Sequence, residues 1–156
     1  VIIGHSENRS EGETDNQINK KIKSCIESGL KVIFCIGESS LQRRKKLTQK
    51  VLKKQILKGL LKVRFSNNIL LAYEPIWSIG TGNVPKNYEL NKNINFIKQI
   101  LKNKHKMKNP KVLYGGSVNP KNVKNLASIE GIDGFLVGGA SQNAKNFIDI
   151  VKKTII

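Results

Sequence analysis

Two rhythms of apolar residues alternate along the chain. Five short runs are continuously apolar, most of them bounded by glycine: VIIG (1–4), KVIFCIG (31–37), ILLAYE (69–74), KVLYGG (111–116) and the centre of GIDGFLVGG (131–139). Runs of this length and β-branched content predict strands covered on both faces, as parallel strands are. Between them the apolar positions recur at helical spacing. Ile18, Ile22, Cys25 and Ile26 form a stripe that predicts a helix over 14–29, with Gly29 as its stop. Leu47, Val51, Ile56 and Leu60 predict a helix over 41–63 whose other face is lysine. Leu90, Ile94, Ile97 and Leu101 predict one over 87–103. A short helix is expected over 119–128, with Asn119 as cap and Pro120 in its first position. Phe147, Ile150, Val151 and Ile155 predict a last one over 143–155.

The order is therefore strand then helix, five times over, in a single domain spanning 1–156. Right-handed crossovers between parallel strands follow. Alternation alone fits two architectures, a doubly wound open sheet or part of a (β/α)₈ barrel. The strand ends favour the barrel. Gly4-His5, Gly37-Glu38, Tyr73-Glu74, Gly115-Gly116-Ser117 and Gly138-Gly139 each fall just after an apolar run. Functional groups gathered at the carboxyl ends of several strands are the habit of a barrel enzyme.

Three of these strand ends carry chemistry. Glu74 stands at the lip of an apolar strand, where desolvation raises a carboxyl pKa and makes a better base near neutral pH. The plainer reading is a surface carboxylate neutralised by one of the many lysines. The residues after Glu74 weigh against that. Pro75 and Trp77 stiffen one end of the segment and Gly80 and Gly82 loosen the other, which suits a closing lid. His5 occupies the equivalent place after the first strand. It could donate a hydrogen bond to a carbonyl oxygen or be a structural histidine held by Ser6 and Glu7. His105, in a lysine-rich helix end, reads as solvated surface. Finally, Gly115-Gly116-Ser117 and Gly138-Gly139-Ala140-Ser141 each lie between a strand and a helix start. Bare N–H groups there bind phosphate, and two such turns after consecutive strands match the phosphate site of barrels after strands seven and eight.

Composition narrows the partners. No run of about 18 apolar residues is present, and no signal peptide is visible, so neither a membrane span nor secretion is expected. The net charge of +17 raises the possibility of a polyanion partner. The cations are 24 Lys against 4 Arg, spread along the chain and accompanied by abundant Asn and Ile, which a codon bias would also produce. A specific nucleic-acid partner is not expected. Cys25 and Cys35 form no C-x-x-C pair and are read as reduced thiols of a cytosolic protein; with His5 and His105 they lack zinc spacing, so no metal is expected.

Together IIGHSE (2–7), CIGE (35–38), LAYEPIWSIGTG (71–82), LYGGSVNP (113–120) and DGFLVGGAS (133–141) resemble the triosephosphate isomerase family, over essentially the whole chain. The resemblance implies a (β/α)₈ barrel present here as its last five βα units, the first three lying outside the sequence. It implies the interconversion of glyceraldehyde 3-phosphate and dihydroxyacetone phosphate, without metal or organic cofactor, in a cytoplasmic homodimer. Glu74 matches the family's base and His5 its neutral electrophile. Gly80, Ser117, Gly138 and Gly139 match phosphate donors, Glu7 a supporting carboxylate, and Cys35 and Glu38 structural positions.

There are departures. No lysine here sits in the motif that carries the family's catalytic lysine, so the chain by itself is expected to be inactive. Asn8 stands where the family usually has Arg, and the segment from His5 to Gly12 is about one residue short and lacks an aromatic. Gln142 replaces a usual Leu. The alternatives are another phosphate-binding barrel enzyme and a basic polyanion-binding protein.

Overall fold

The computed structural model of the chain describes residues 1–63 and 68–155. Along it run β1 (Ile2–Ile3), α1 (Ser6–Ser10), α2 (Asp15–Glu27), β2 (Val32–Ile36), α3 (Ser40–Arg44), α4 (Thr48–Gly59) and β3 (Ile69–Tyr73). Then follow α5 (Asn87–His105), β4 (Val112–Tyr114), α6 (Val123–Ala127), β5 (Gly134–Phe135) and α7 (Ala144–Ile155). Two single 3₁₀ turns, Ile76–Ser78 and Gly139–Gln142, follow β3 and β5.

The strands make one sheet in the order β1-β2-β3-β4-β5, with every neighbouring pair parallel. That order decides between the two architectures. A doubly wound sheet reverses its strand order at a switch point and so covers both faces with helices. Here every crossover moves on to the next strand in the same direction, and a constant right-handed sense carries all the helices to one face. The sheet is an arc of a (β/α)₈ barrel.

The register sorts the strand residues into two layers. Ile3, Phe34, Leu71 and Val112 stand in one row and Ile36, Tyr73 and Tyr114 in another, all facing the helices and all buried. The opposite face carries Ile2, Ile33 and Leu70, then Cys35, Ala72 and Leu113. This inner layer is uneven: Cys35 and Ala72 are buried, Ile33, Leu70 and Leu113 half-buried, and Ile2 is 49% exposed.

Local signals set the helix ends. Thr14 and Gln17 form a capping box at the start of α2. At its end Gly29 takes φ +75°, and Leu30 N–H donates to the Cys25 carbonyl at 2.9 Å, a Schellman stop. The helix expected over 41–63 is two helices. Lys46 adopts φ +56° and Leu47 N–H donates to the Gln42 carbonyl at 2.9 Å, the same stop built without a glycine. The stripe of Leu47, Val51, Ile56 and Leu60 survives this break because it lies almost wholly beyond it. The helix expected over 119–128 begins only at Val123. Asn119 Oδ1 accepts from Lys121 N–H at 2.9 Å and makes a turn there instead. Helix α1 was not anticipated, its five residues being too short to show a period. His105 is half-buried rather than solvated, and burial pushes its pKa down.

Helices α2 and α4 lock together through Asn19, whose Nδ2 donates to the Gly59 and Leu61 carbonyls at 2.8 and 3.0 Å. Gly59 is there for packing: a Cβ on it would lie 2.4 Å from Phe34 Cζ. Gly59→Ala is thus expected to lower stability by about 1–3 kcal/mol through overpacking, against a helix-propensity gain of about 1 kcal/mol. Thermal melting of the variant checks this, and an unchanged or raised midpoint would contradict it.

Candidate active site

The parallel register brings the carboxyl ends of the strands to one rim. At the centre of that rim is Glu74, directly after β3 and on the inner layer. A carboxylate fits there because its neighbours give way. A Cβ on Gly115 would lie 2.8 Å from Glu74 Cγ, and one on Gly37 would lie 1.7 Å from the Glu74 carbonyl oxygen. Glu74 is 2% exposed. Burial raises its pKa above the ordinary value of 4.5, opposed by the neighbouring His5, a hydrogen bond from Cys35, the Ser6 N–H and Arg9. The Cys35 thiol, buried beneath the same carboxylate, has its own pKa pushed far up by burial and by the Glu74 charge.

His5 is held opposite by helix α1. It is the N-cap of that helix, and its Nδ1 accepts from the Glu7 N–H at 3.4 Å. A ring whose Nδ1 accepts carries its proton on Nε2. That Nε2 lies 3.5 Å from Glu74 Oε1. The Glu7 carboxylate stays outside, 85% exposed and 3.7 Å from His5 Nδ1, so in this geometry its backbone is what serves the histidine.

Arg9 fixes the loop that carries His5. Its Nε donates to the Gly4 carbonyl at 2.8 Å and its Nη2 to the Cys35 carbonyl at 3.2 Å, while Nη1 pairs with Asp15 at 2.8 Å. The shortened segment from His5 to Gly12 is packed by this guanidinium, and Asn8 is exposed.

His5, Glu74, Gly80, Ser117, Gly138 and Gly139 all line one cavity of about 280 Å³, together with Ile79, Gly115, Gly116 and Asn119. Groups from four of the five strand ends, those of β1, β3, β4 and β5, thus converge. No lysine lines this cavity among the described residues. Nor do three His, Cys, Asp or Glu side chains converge to hold a metal ion among them. No described helix is long and apolar enough to cross a membrane.

The segment after Glu74 lies over the cavity and is tied down on both sides. Trp77 Nε1 donates to Glu38 Oε1 at 2.9 Å, and Tyr73 Oη donates to Glu38 Oε2 at 3.1 Å. Glu38 is 1% exposed, and burial raises its pKa against these two donors. On the other side Ser78 Oγ lies 3.0 Å from Tyr114 Oη, and Gly82 N–H donates to Ser117 Oγ at 3.2 Å. Gly80 and Gly82 adopt φ +69° and +76°, which only glycine takes without strain. Sequence reasoning missed Tyr73, Tyr114 and Arg9. The two tyrosines end their strands just as Glu74 follows its own, and that position was the available signal.

The family profile of triosephosphate isomerase matches residues 1–154. The chain is 46% identical over 155 residues to the triosephosphate isomerase of Thermodesulfovibrio yellowstonii, covering 97% of this chain and 63% of that protein. It is 43% identical over 158 residues to that of Dictyoglomus turgidum and 42% identical over 161 residues to that of Carboxydothermus hydrogenoformans, covering 64% of each. The chain thus spans less than two thirds of the length of these relatives. With a profile match over nearly its whole length and the motifs gathered around one cavity, the chain belongs to the triosephosphate isomerase family.

Proposed function

We propose that this site carries out the aldose–ketose isomerisation of a triose phosphate, glyceraldehyde 3-phosphate to dihydroxyacetone phosphate and back, as a step of glycolysis in the cytoplasm. The observation that carries the reading is the meeting of Glu74 Oε1 and His5 Nε2 at 3.5 Å in a cavity that five glycines line, Gly80, Gly115, Gly116, Gly138 and Gly139. Glu74 takes the proton from the carbon beside the carbonyl. His5 donates through Nε2 to the carbonyl oxygen, where negative charge develops. His5 then gives its Nε2 proton to the former carbonyl oxygen and takes one back from the neighbouring hydroxyl, and the Glu74 carboxyl returns its proton to the neighbouring carbon. Every proton lost is restored, so no electron carrier is consumed and no cofactor is required.

The glycines support a phosphate in the cavity. A Cβ on Gly139 would meet nothing within 4 Å and the residue has no positive φ, whereas Gly138 stands at φ −85° and ψ −120°, backbone that itself favours glycine. Nothing in the chain itself demands glycine at 139, whereas a ligand approaching its N–H group would. Ser117 Oγ accepts from Gly82 and keeps its own proton free for a phosphate oxygen. The activity is assigned to a closed barrel, in a homodimer, with the ammonium that this cavity's lining lacks supplied by the remaining third of the length seen in the relatives.

Four outcomes test the proposal. The isolated chain is expected to show no isomerase turnover, while a chimera joining it to the N-terminal remainder of the Thermodesulfovibrio relative turns over; activity of the chain alone, abolished by Glu74→Asp, would refute the closed-barrel requirement. In that chimera Glu74→Gln is expected to lower kcat by ~10³-fold, and normal turnover would reject Glu74 as the base. Because the base must be ionised and its pKa is raised, kcat/KM is expected to fall with decreasing pH at a point above 4.5; a profile flat down to that pH contradicts the assignment. Finally, Gly139→Ala should leave the melting midpoint unchanged and raise KM about tenfold or more, a split that a structural glycine would reverse.

A further inference from the structure

A second cavity, of about 400 Å³, lies on the outer side of the same segment that roofs the first. Trp77 faces this outer cavity, while Ile79 and Gly80 face the inner one. The segment Ile76–Ser78 and the residues after it are therefore a wall shared by two chambers. Neither Glu74 nor His5 lines the outer one, and nothing in the isomerase reading uses it.

Its charges do not balance. Two carboxylates line it, and both are already engaged. Glu38 accepts from Trp77 and Tyr73. Glu89 Oε2 is held by Arg43 Nη2 at 3.0 Å, and the same guanidinium lies 4.0 Å above the Trp77 ring. The other two cations, Lys46 and Lys92, have no carboxylate within ion-pair distance among the described residues. They come from different elements, Lys46 from the turn after α3 and Lys92 from α5. Gln49 and Tyr88 add neutral polar groups at its edge. A volume of this size suits a small molecule, and a lining of three cations against two carboxylates, with two of the ammonium groups outside any ion pair among the described residues, suits an anionic ligand.

We propose that this outer cavity binds a small polyanion of the diphosphate class, bridged between Lys46 and Lys92 with Arg43 between them. The bound anion would draw the α3–α4 turn and α5 together around Trp77 and so hold the segment that roofs the inner cavity. The proposal stands independently of the isomerase assignment.

Trp77 is the chain's single tryptophan and so reports on the site directly. The experiment is a fluorescence titration of the purified chain with inorganic pyrophosphate at constant ionic strength. A saturable change is expected. Combining Lys46→Gly with Lys92→Ala should raise the half-saturating concentration at least tenfold. Lys46→Gly relieves a φ of +56°, so the loss cannot be assigned to weakened folding. Removing two distant lysines, Lys20→Ala with Lys108→Ala, takes away the same charge and should leave the curve in place. Gly139→Asp, which puts a carboxylate in the inner cavity, should also leave it. No saturable signal, an equal loss in both lysine pairs, or loss in Gly139→Asp alone would each overturn the proposal. The second of these means general attraction to a cationic chain, and the third means binding in the inner cavity.

Discussion

A carboxylate can stand at the end of a packed parallel strand only if a neighbouring strand leaves out a side chain beside it. Gly115 meets that condition for the Glu74 side chain, while Gly37 leaves room for the Glu74 main-chain carbonyl. The steric allowance is what lets the charge be buried, burial is what raises its pKa, and a raised pKa is what gives a carboxylate useful basicity toward carbon. The consecutive parallel register completes the arrangement. It puts His5 one strand beyond Gly37 and the cavity-lining glycines on the strands beyond Glu74, without any long-range loop having to deliver them.

The roof over the cavity is held by buried polar groups rather than by apolar packing. Glu38 takes the Trp77 indole on one side, and Ser78, Tyr114 and Ser117 share hydrogen bonds on the other. Such bonds are directional and leave a desolvated group behind when they break. A segment secured this way has defined resting places rather than a continuum of positions. Both anchors come from strand ends next to Glu74, so that carboxylate and the segment over it are fixed by the same strands.

How much of this could be read from sequence follows from how local each signal is. The strand–helix alternation, Gly29, and the groups at Glu74, His5 and the two glycine turns were legible because each depends on a few adjacent residues. The choice between an open sheet and a barrel was not settled by alternation, because strand order is a property of the whole sheet. The break at Lys46 was hidden because the stop usually marked by glycine was made with lysine. Arg9 was unreadable as a clamp, since its partners at Gly4 and Cys35 are brought together only by the pairing of β1 and β2. The residues that looked displaced in the shortened loop turned out to be served by one guanidinium next to them.

Cys35 carries a consequence of its own. Its thiol sits directly behind the Glu74 carboxylate, fully buried, and a thiolate there would face a negative charge without water. Sulfur therefore fills the volume while remaining permanently neutral. A group that cannot ionise and cannot be reached by oxidants or alkylating agents works as an insulator. It gives Glu74 a hydrogen bond without adding a charge, so the proton affinity of that carboxylate does not follow the ionisation or redox state of its sulfur neighbour.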